Sequence, residues 1–295
     1  MRILVSGYTG FIGSALTGSL EGAGHEVVGL SRSEKPGAVQ WEPSRRWIDE
    51  DHLGDLDAVI NLAGESIGGR WTATKKRAIL QSRLDVTGTL ADLVATRHIP
   101  IFVSSSAMGY YGDRGDEVLT EDSPPGTGFL AEVCVAWEEA AAPAATAGSR
   151  VALLRTGLVL DPDGGSFPPM LLPFKLGAGG RIGSGDQWWS WISLRDEVEA
   201  IRFVLEQDVA GPVNLTSPDP RPNREFVTAL GEAMHRPSIM PAPAFALKAL
   251  LGGQFAEQVL LGSQRVMPAV LTGAGFEFQD PDLEGALASL FSRSA

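Results

Sequence analysis

The chain is poor in the residues that carry most acid–base and metal chemistry. Its 295 residues include one cysteine, three tyrosines, four histidines and five lysines. A single thiol excludes an internal disulfide framework and a cysteine-based zinc site. His25, His52, His98 and His235 are scattered, without H-x-x-x-H or H-E-x-x-H spacing, so no metal is expected. No apolar run approaches the roughly 18 residues of a membrane span. Met1 and Arg2 lead straight into Ile3–Ser6 with no apolar leader, so a cytoplasmic protein without a membrane partner is expected. Basic residues number 24 against 36 acidic ones, a formal charge of −12, which disfavours a broad contact with nucleic acid. A general acid or base must therefore come from Tyr8, Tyr110, Tyr111, the histidines, Cys134, or a tuned carboxylate or lysine.

What is present reads as an ordinary globular chain, with 44% hydrophobic and 20% charged residues. Its length suits one large domain with a smaller lobe. Apolar runs at 2–6, 25–31, 57–62, 101–105 and 150–155 read as strands. Between them lie helical patterns after Gly13, over 71–97 with Thr72 as N-cap, and over 129–146. This β–α alternation predicts a doubly wound parallel sheet with helices on both faces. Beyond Gly157, proline and glycine become dense, and 191–207 reads as one more strand and helix returning to the sheet. Helices are expected over 223–235, 244–261 and 283–291. The division expected is a domain of residues 1–160 with a return near 191–217, and a smaller C-terminal substrate lobe built from 161–190 and 218–295.

The first turn is the most informative segment. Gly7-Tyr8-Thr9-Gly10-Phe11-Ile12-Gly13 is GxxGxxG placed directly after a strand and opening a helix. The first glycine allows a tight turn, the second admits a pyrophosphate to the backbone, and the third lets helix and strand pack closely. The helix start offers free N–H groups to phosphate. Gly7, Thr9, Gly10, Phe11, Ile12 and Gly13 are thus candidate dinucleotide contacts in a Rossmann domain, with Leu62, Ala63 and Gly64 at the end of the third clear strand. The second strand ends in Ser31-Arg32 rather than an acidic residue that would accept from a ribose 2′-hydroxyl. Ser31 and Arg32 can bind a 2′-phosphate, so NADP is the expected cofactor. The alternative for Arg32 is a solvated side chain near Glu34 and Lys35.

Together with NLAGESI (61–67), Ser82-Arg83, SAMGYYG (106–112), FLAEVC (129–134), LLPFKLG (171–177) and GGRIGSGDQWWSWI (179–192), these motifs carry a resemblance that runs through the chain. It resembles the extended short-chain dehydrogenase/reductases, in particular an atypical, sugar-nucleotide epimerase-like group of uncertain function. Typical active members use a Tyr-x-x-x-Lys pair on the helix after the serine-bearing strand. Here Tyr8, Tyr110 and Tyr111 are followed four residues later by Ile12, Arg114 and Gly115, so the pair is absent. The resemblance sets Leu130 at the tyrosine position and Cys134 at the lysine position. It implies that Ser106 keeps the serine role and that Arg83 replaces an upstream asparagine near the cofactor. A leucine transfers no proton, and a neutral thiol does not replace an ammonium. Substitute proton carriers are Tyr110, Tyr111 and Glu65, each with a structural alternative; Cys134 reads as a small buried hydrophobe.

A second departure concerns the substrate. Where sugar-nucleotide epimerases carry a diphosphate-clamping arginine, this chain has Trp189, with Arg181 the nearby basic residue. An indole offers a π-face and one donor but no bidentate charge, so a nucleotide sugar is disfavoured. Trp188, Trp189 and Trp191 either line an apolar pocket or close the interface between lobes. The function expected is an NADP(H)-dependent oxidoreductase or epimerase-like enzyme acting on a small carbonyl or hydroxyl compound. The competing class is a non-catalytic NADP(H)-binding sensor or partner-binding protein. A homodimer through the helices at 71–97 and 129–146 is the assembly the resemblance implies.

Overall fold

The short apolar runs become strands of one eight-stranded sheet in the computed structural model, which describes residues 1–292. The first half contains β1 (Arg2–Ser6), α1 (Phe11–Gly22), β2 (Glu26–Ser31), β3 (Ala38–Glu42), β4 (Trp47–Ile48), β5 (Ala58–Asn61), α2 (Ala73–Arg97), β6 (Ile101–Ala107), β7 (Val118–Leu119), α3 (Phe129–Glu139), α4 (Ala142–Thr146) and β8 (Arg150–Thr156). The second half contains β9 (Leu158–Leu160), α5 (Pro168–Lys175), β10 (Trp188–Trp189), β11 (Trp191–Ser193), α6 (Leu194–Glu206), β12 (Gly211–Leu215), β13 (Arg221–Pro222), α7 (Asn223–Ala233) and α8 (Ala244–Leu251). It ends in α9 (Gly253–Phe255), which runs into a π-helical turn over Ala256–Leu260, then β14 (Arg265–Val266), α10 (Ala269–Gly273) and α11 (Leu283–Ser292).

The sheet order is β12-β8-β6-β5-β1-β2-β3-β4, and every neighbouring pair is parallel except β3–β4. Alternation along each strand sends side chains to opposite faces. Ile3, Val5, Ile60 and Val103 meet Leu16 and Leu20 of α1 and Ile201 and Val204 of α6. Leu4, Val59 and Phe102 meet Val86, Leu90 and Val94 of α2. Each such fully buried aliphatic side chain contributes about 1.5–3 kcal/mol, which is why helices on both faces are needed to complete the core. Thr72 caps α2, its hydroxyl accepting from the Lys75 N–H at 3.1 Å. A third core joins Phe167, Leu171, Trp189, Trp191, Phe226 and Leu287 among the C-terminal elements. No described helix is long and apolar enough to cross a membrane.

Four local expectations change. Residues 38–48 supply two strands beyond those expected; Val39 and Trp41 are buried and alternate with exposed Gln40, a pattern hidden by flanking Pro36, Gly37 and Pro43. The helix expected over 129–146 breaks after Glu139, because Pro143 has no N–H to give and its ring clashes with the preceding turn. Trp191–Ser193 pairs with β9 and not with the main sheet; the returning strand is β12, beside β8. The expected helix over 244–261 breaks at Gly252, where φ is +96°, before the π-helical turn.

Candidate functional site

A doubly wound sheet leaves a crevice at the carboxyl ends of its strands, where the order reverses. Here β1 stands at that edge, between β5 and β2. The turn after β1 is built for close approach. Gly7 has φ +72°, and a methyl added at Gly13 would lie 2.1 Å from the Gly7 carbonyl oxygen, so neither position accepts a side chain. The Gly10 N–H donates to that carbonyl at 2.8 Å. Gly10 caps α1 with no side-chain hydrogen bond, so the first-turn N–H groups of Phe11, Ile12 and Gly13 have no side-chain acceptor and remain open to an anion. This cradle fits a pyrophosphate. Thr9 is exposed at its rim. The Phe11 ring packs on Gly164 and Gly165, where added methyls would come within 2.2 Å and 2.6 Å of it, so the loop after β9 lies against the helix start.

The other two strand ends flank this turn. The Leu62 and Ala63 N–H groups donate to the Ser6 hydroxyl at 3.2 and 3.3 Å, which fixes the Leu62-Ala63-Gly64 backbone. At the end of β2, Ser31 accepts from the Ser33 N–H at 3.3 Å. Arg32 is exposed and makes no ion pair or side-chain hydrogen bond among the described residues. Glu65 pairs with Lys75 at 2.6 Å, and that bond, aided by Arg32 and Arg83, holds its carboxyl below the usual range. Arg83 lies behind Gly64. Its Nη1 donates to the carbonyls of Glu65 (3.1 Å) and Ile79 (3.0 Å), and its guanidinium stacks 4.6 Å from the Trp137 ring centre. Burial draws its pKa down.

The face of α3 is different in kind. Leu130, Cys134 and Glu138 follow at four-residue spacing and share one stripe of the helix. Cys134 is buried, and burial with the neighbouring Glu138 pushes its thiol up to about 12, which makes it a neutral group. Ser106 donates to Glu138 Oε1 at 2.7 Å. Arg155 binds the same carboxylate with two bonds, Nε to Oε1 at 2.8 Å and Nη2 to Oε2 at 2.9 Å. Its Nη1 donates to the Tyr111 hydroxyl (3.0 Å) and the Glu121 carbonyl (3.2 Å). Tyr111 in turn donates to Asn214 Oδ1 at 2.7 Å, and the Asn214 N–H donates to the Glu121 carboxylate at 3.0 Å. Burial works against the Arg155 charge, but the Glu138 bonds outweigh it and raise its pKa. The Tyr110 ring stacks 3.5 Å from the Arg155 guanidinium.

The sequence-derived candidates therefore fall into two groups. Gly7, Thr9, Gly10, Phe11, Ile12, Gly13, Ser31, Arg32, Leu62, Ala63 and Gly64 line one edge, with Arg83 supporting it from behind. Ser106, Tyr110 and Tyr111 gather around Arg155, and Glu65 stands apart with Lys75. Tyr111 is wholly buried, and burial pushes its phenol up to about 12. Glu138, Arg155, Glu121 and Asn214 went unnoticed in the sequence. One signal was available: an arginine late in the apolar strand RVALLRT needs a hydrogen-bonding partner if it is buried. Trp189 packs on Phe226 and Trp191 donates to the Asp219 carbonyl at 2.7 Å, so these indoles close a core rather than line a pocket. Arg181 donates to its neighbour's carbonyl, that of Ser184, at 2.6 Å. A cleft of about 330 Å³ opens beside α3, lined in part by Gly109, Gly112, Thr127, Leu130 and Gln264.

Comparison with known proteins shows the family. Residues 3–216 match the NAD dependent epimerase/dehydratase family, and residues 242–290 match a domain of unknown function, DUF1731. An epimerase family protein of Mycobacterium bovis is 42% identical, covering 99% of this chain and 98% of its own length. The mouse epimerase family protein SDR39U1 is 39% identical, covering 97% of this chain and 98% of its own. The crystal structure of human SDR39U1 (isoform 2) with NADPH superposes with a TM-score of 0.91 at 36% identity, covering 99% of both chains.

Proposed function

We propose that this chain, which belongs to the NAD dependent epimerase/dehydratase family, is an NADP(H)-dependent oxidoreductase or epimerase-like enzyme for a small carbonyl or hydroxyl compound. The observation that carries the cofactor choice is Arg32, exposed and unpaired among the described residues at the end of β2, with Ser31 beside it and no acid at the strand tip. The NADPH in the structure of the human relative supports the same choice. Bound there, the cofactor would accept or give a hydride. The turn at Gly7–Gly13 and the first N–H groups of α1 hold the pyrophosphate, and Ser31 and Arg32 hold the 2′-phosphate. Arg83 keeps the Gly64–Glu65 backbone in place and brings positive charge to the edge where a lysine usually stands. Ser106 and Tyr111 serve the Glu138–Arg155 lock, and Tyr110 rests on it. A cytoplasmic setting is part of this reading.

Trp189, at the position where sugar-nucleotide epimerases carry a diphosphate-clamping arginine, supports an unphosphorylated substrate. A second reading, a binding protein without turnover, draws on the α3 face, where Leu130 and a neutral Cys134 stand in the usual proton-transfer positions. Fluorescence titration tests the cofactor assignment: NADPH is expected to bind at least tenfold more tightly than NADH, and Arg32→Ala to erase that difference by weakening NADPH alone. Equal affinities in the wild type would overturn it. NADPH oxidation across a carbonyl panel separates the enzyme from the binding protein.

A further inference from the structure

The helix face that lacks a proton carrier looks across its cleft at the C-terminal lobe. Leu130 and Ala131 form one wall; Lys248 of α8 and Glu257 and Gln258 of the π-helical turn form the other. These walls are tied together. Gln258 Oε1 accepts from the Leu130 N–H at 3.0 Å, so the turn docks on the first turn of α3 itself. Trp71 adds a second tie, with edge contacts to Phe129 of α3 (5.1 Å between ring centres) and Phe255 of α9 (5.7 Å). A π-helical turn closes i→i+5 hydrogen bonds, is rare, and is frequent at functional sites. Here it sets Glu257 against Lys248, with Nζ 2.7 Å from Oε1. Lys248 is the one cation lining the cleft among the described residues. The other acid there, Asp113, accepts from the Gly115 and Ser263 N–H groups at 3.3 and 3.2 Å.

We propose that Lys248 is the catalytic proton donor of this site, hydrogen-bonded to the substrate oxygen across the cleft from Leu130, with Glu257 its positioning residue. The inference rests on the oxidoreductase reading. In the reductive direction a carbonyl carbon receives the hydride of NADPH, and the C=O π pair moves to oxygen. That oxygen takes a proton from Lys248 Nζ as the N–H bond breaks. The products are an alcohol, NADP⁺ and a neutral amine, which regains its proton from water because the side chain is 41% exposed. The substrate class is a small, unphosphorylated aldehyde or ketone, or the alcohol in reverse. The cleft volume suits a compound of sugar size, and its single cation is already shared with Glu257.

The test uses the full chain with NADPH, a panel of four- to ten-carbon aldehydes and ketones, and the matching carboxamides as stable carbonyl mimics. Lys248→Met is expected to lower kcat about 100-fold, the lower end for a lost general acid. It should also weaken carboxamide binding to the NADPH complex at least tenfold by NADPH fluorescence, with NADPH affinity unchanged. Lys248→Arg keeps the charge and the Glu257 pair, and gives up no proton. It should restore carboxamide binding to within threefold and leave kcat low. Glu257→Gln should lower kcat about tenfold with KM held. Turnover in Lys248→Met within threefold of wild type overturns this assignment alone, as does full rescue of kcat by Lys248→Arg. A wild type that neither oxidises NADPH nor binds a carboxamide overturns the oxidoreductase reading and this one with it.

Discussion

The edge around Gly7–Gly13 and the α3 face around Glu138 lie at the same end of one sheet but are made of different material. The first is backbone: N–H groups, a positive φ and contacts too close for a methyl. The second is side chain: a buried ion pair, a phenol, an amide and a serine hydroxyl in one hydrogen-bonded run. A backbone site binds any ligand of the right charge and shape and leaves few residues free to vary. A side-chain network can be rewired, and here it holds the loop after β6 against β8 and β12.

The sharpest way to break that contrast is Glu138→Ala. It leaves the Arg155 charge buried without its partner, at a cost of about 3–5 kcal/mol. Urea unfolding should show the midpoint falling at constant slope, while a fraction that remains folded binds NADPH as wild type does. A loss under 1 kcal/mol would mean that the network does not hold this face. Gly13→Ala should do the reverse. NADPH affinity of the folded fraction should fall about 100-fold, or about 3 kcal/mol. If titration shows unchanged affinity, the cradle lies elsewhere.

A third contrast, read through pH, lies beneath the end of β8, where Glu197 of α6 is buried with one bond, from the Thr156 hydroxyl at 2.9 Å. Burial pushes its pKa up to about 8 from an ordinary 4.5. Between those values the folded chain keeps a proton that the unfolded chain has released. Its contribution to stability is therefore complete below about 4.5 and is lost as pH rises through about 8. The slope from one proton is at most about 1.4 kcal/mol per pH unit. Glu197→Gln should be more stable relative to wild type at pH 8.5 than at pH 5 by thermal and urea unfolding. A pH-independent difference would refute the buried acid.

Legibility in the sequence follows the same divide. Gly7, Gly10 and Gly13 were visible because only glycine satisfies that backbone, and the family's strand–turn–helix order came with them. Arg32 was visible because it stands where an acid was required for the other cofactor. Glu138 and Arg155 looked like an ordinary helix acid and a strand terminus, since their pairing depends on how β6, β8 and α3 pack. Tyr111 was legible as a titratable group but not as a buried one; the partners that occupy its phenol lie 44 and 103 residues away. The Lys248–Glu257 pair was hidden by the break at Gly252, which a helix drawn through 244–261 smooths over.

The two edges of the main sheet are finished differently. On one side β4 is two residues long, and the Asp49 N–H after it extends its pairing with β3, donating to the Gln40 carbonyl at 2.9 Å. On the other, Pro212 of β12 has no N–H, and that of Asn214 is spent on the Glu121 carboxylate. Blunted edges give amyloid-like stacking no template. Strand addition along β12 therefore lacks two of the donors it would need, and a substitution at Pro212 would return one of them.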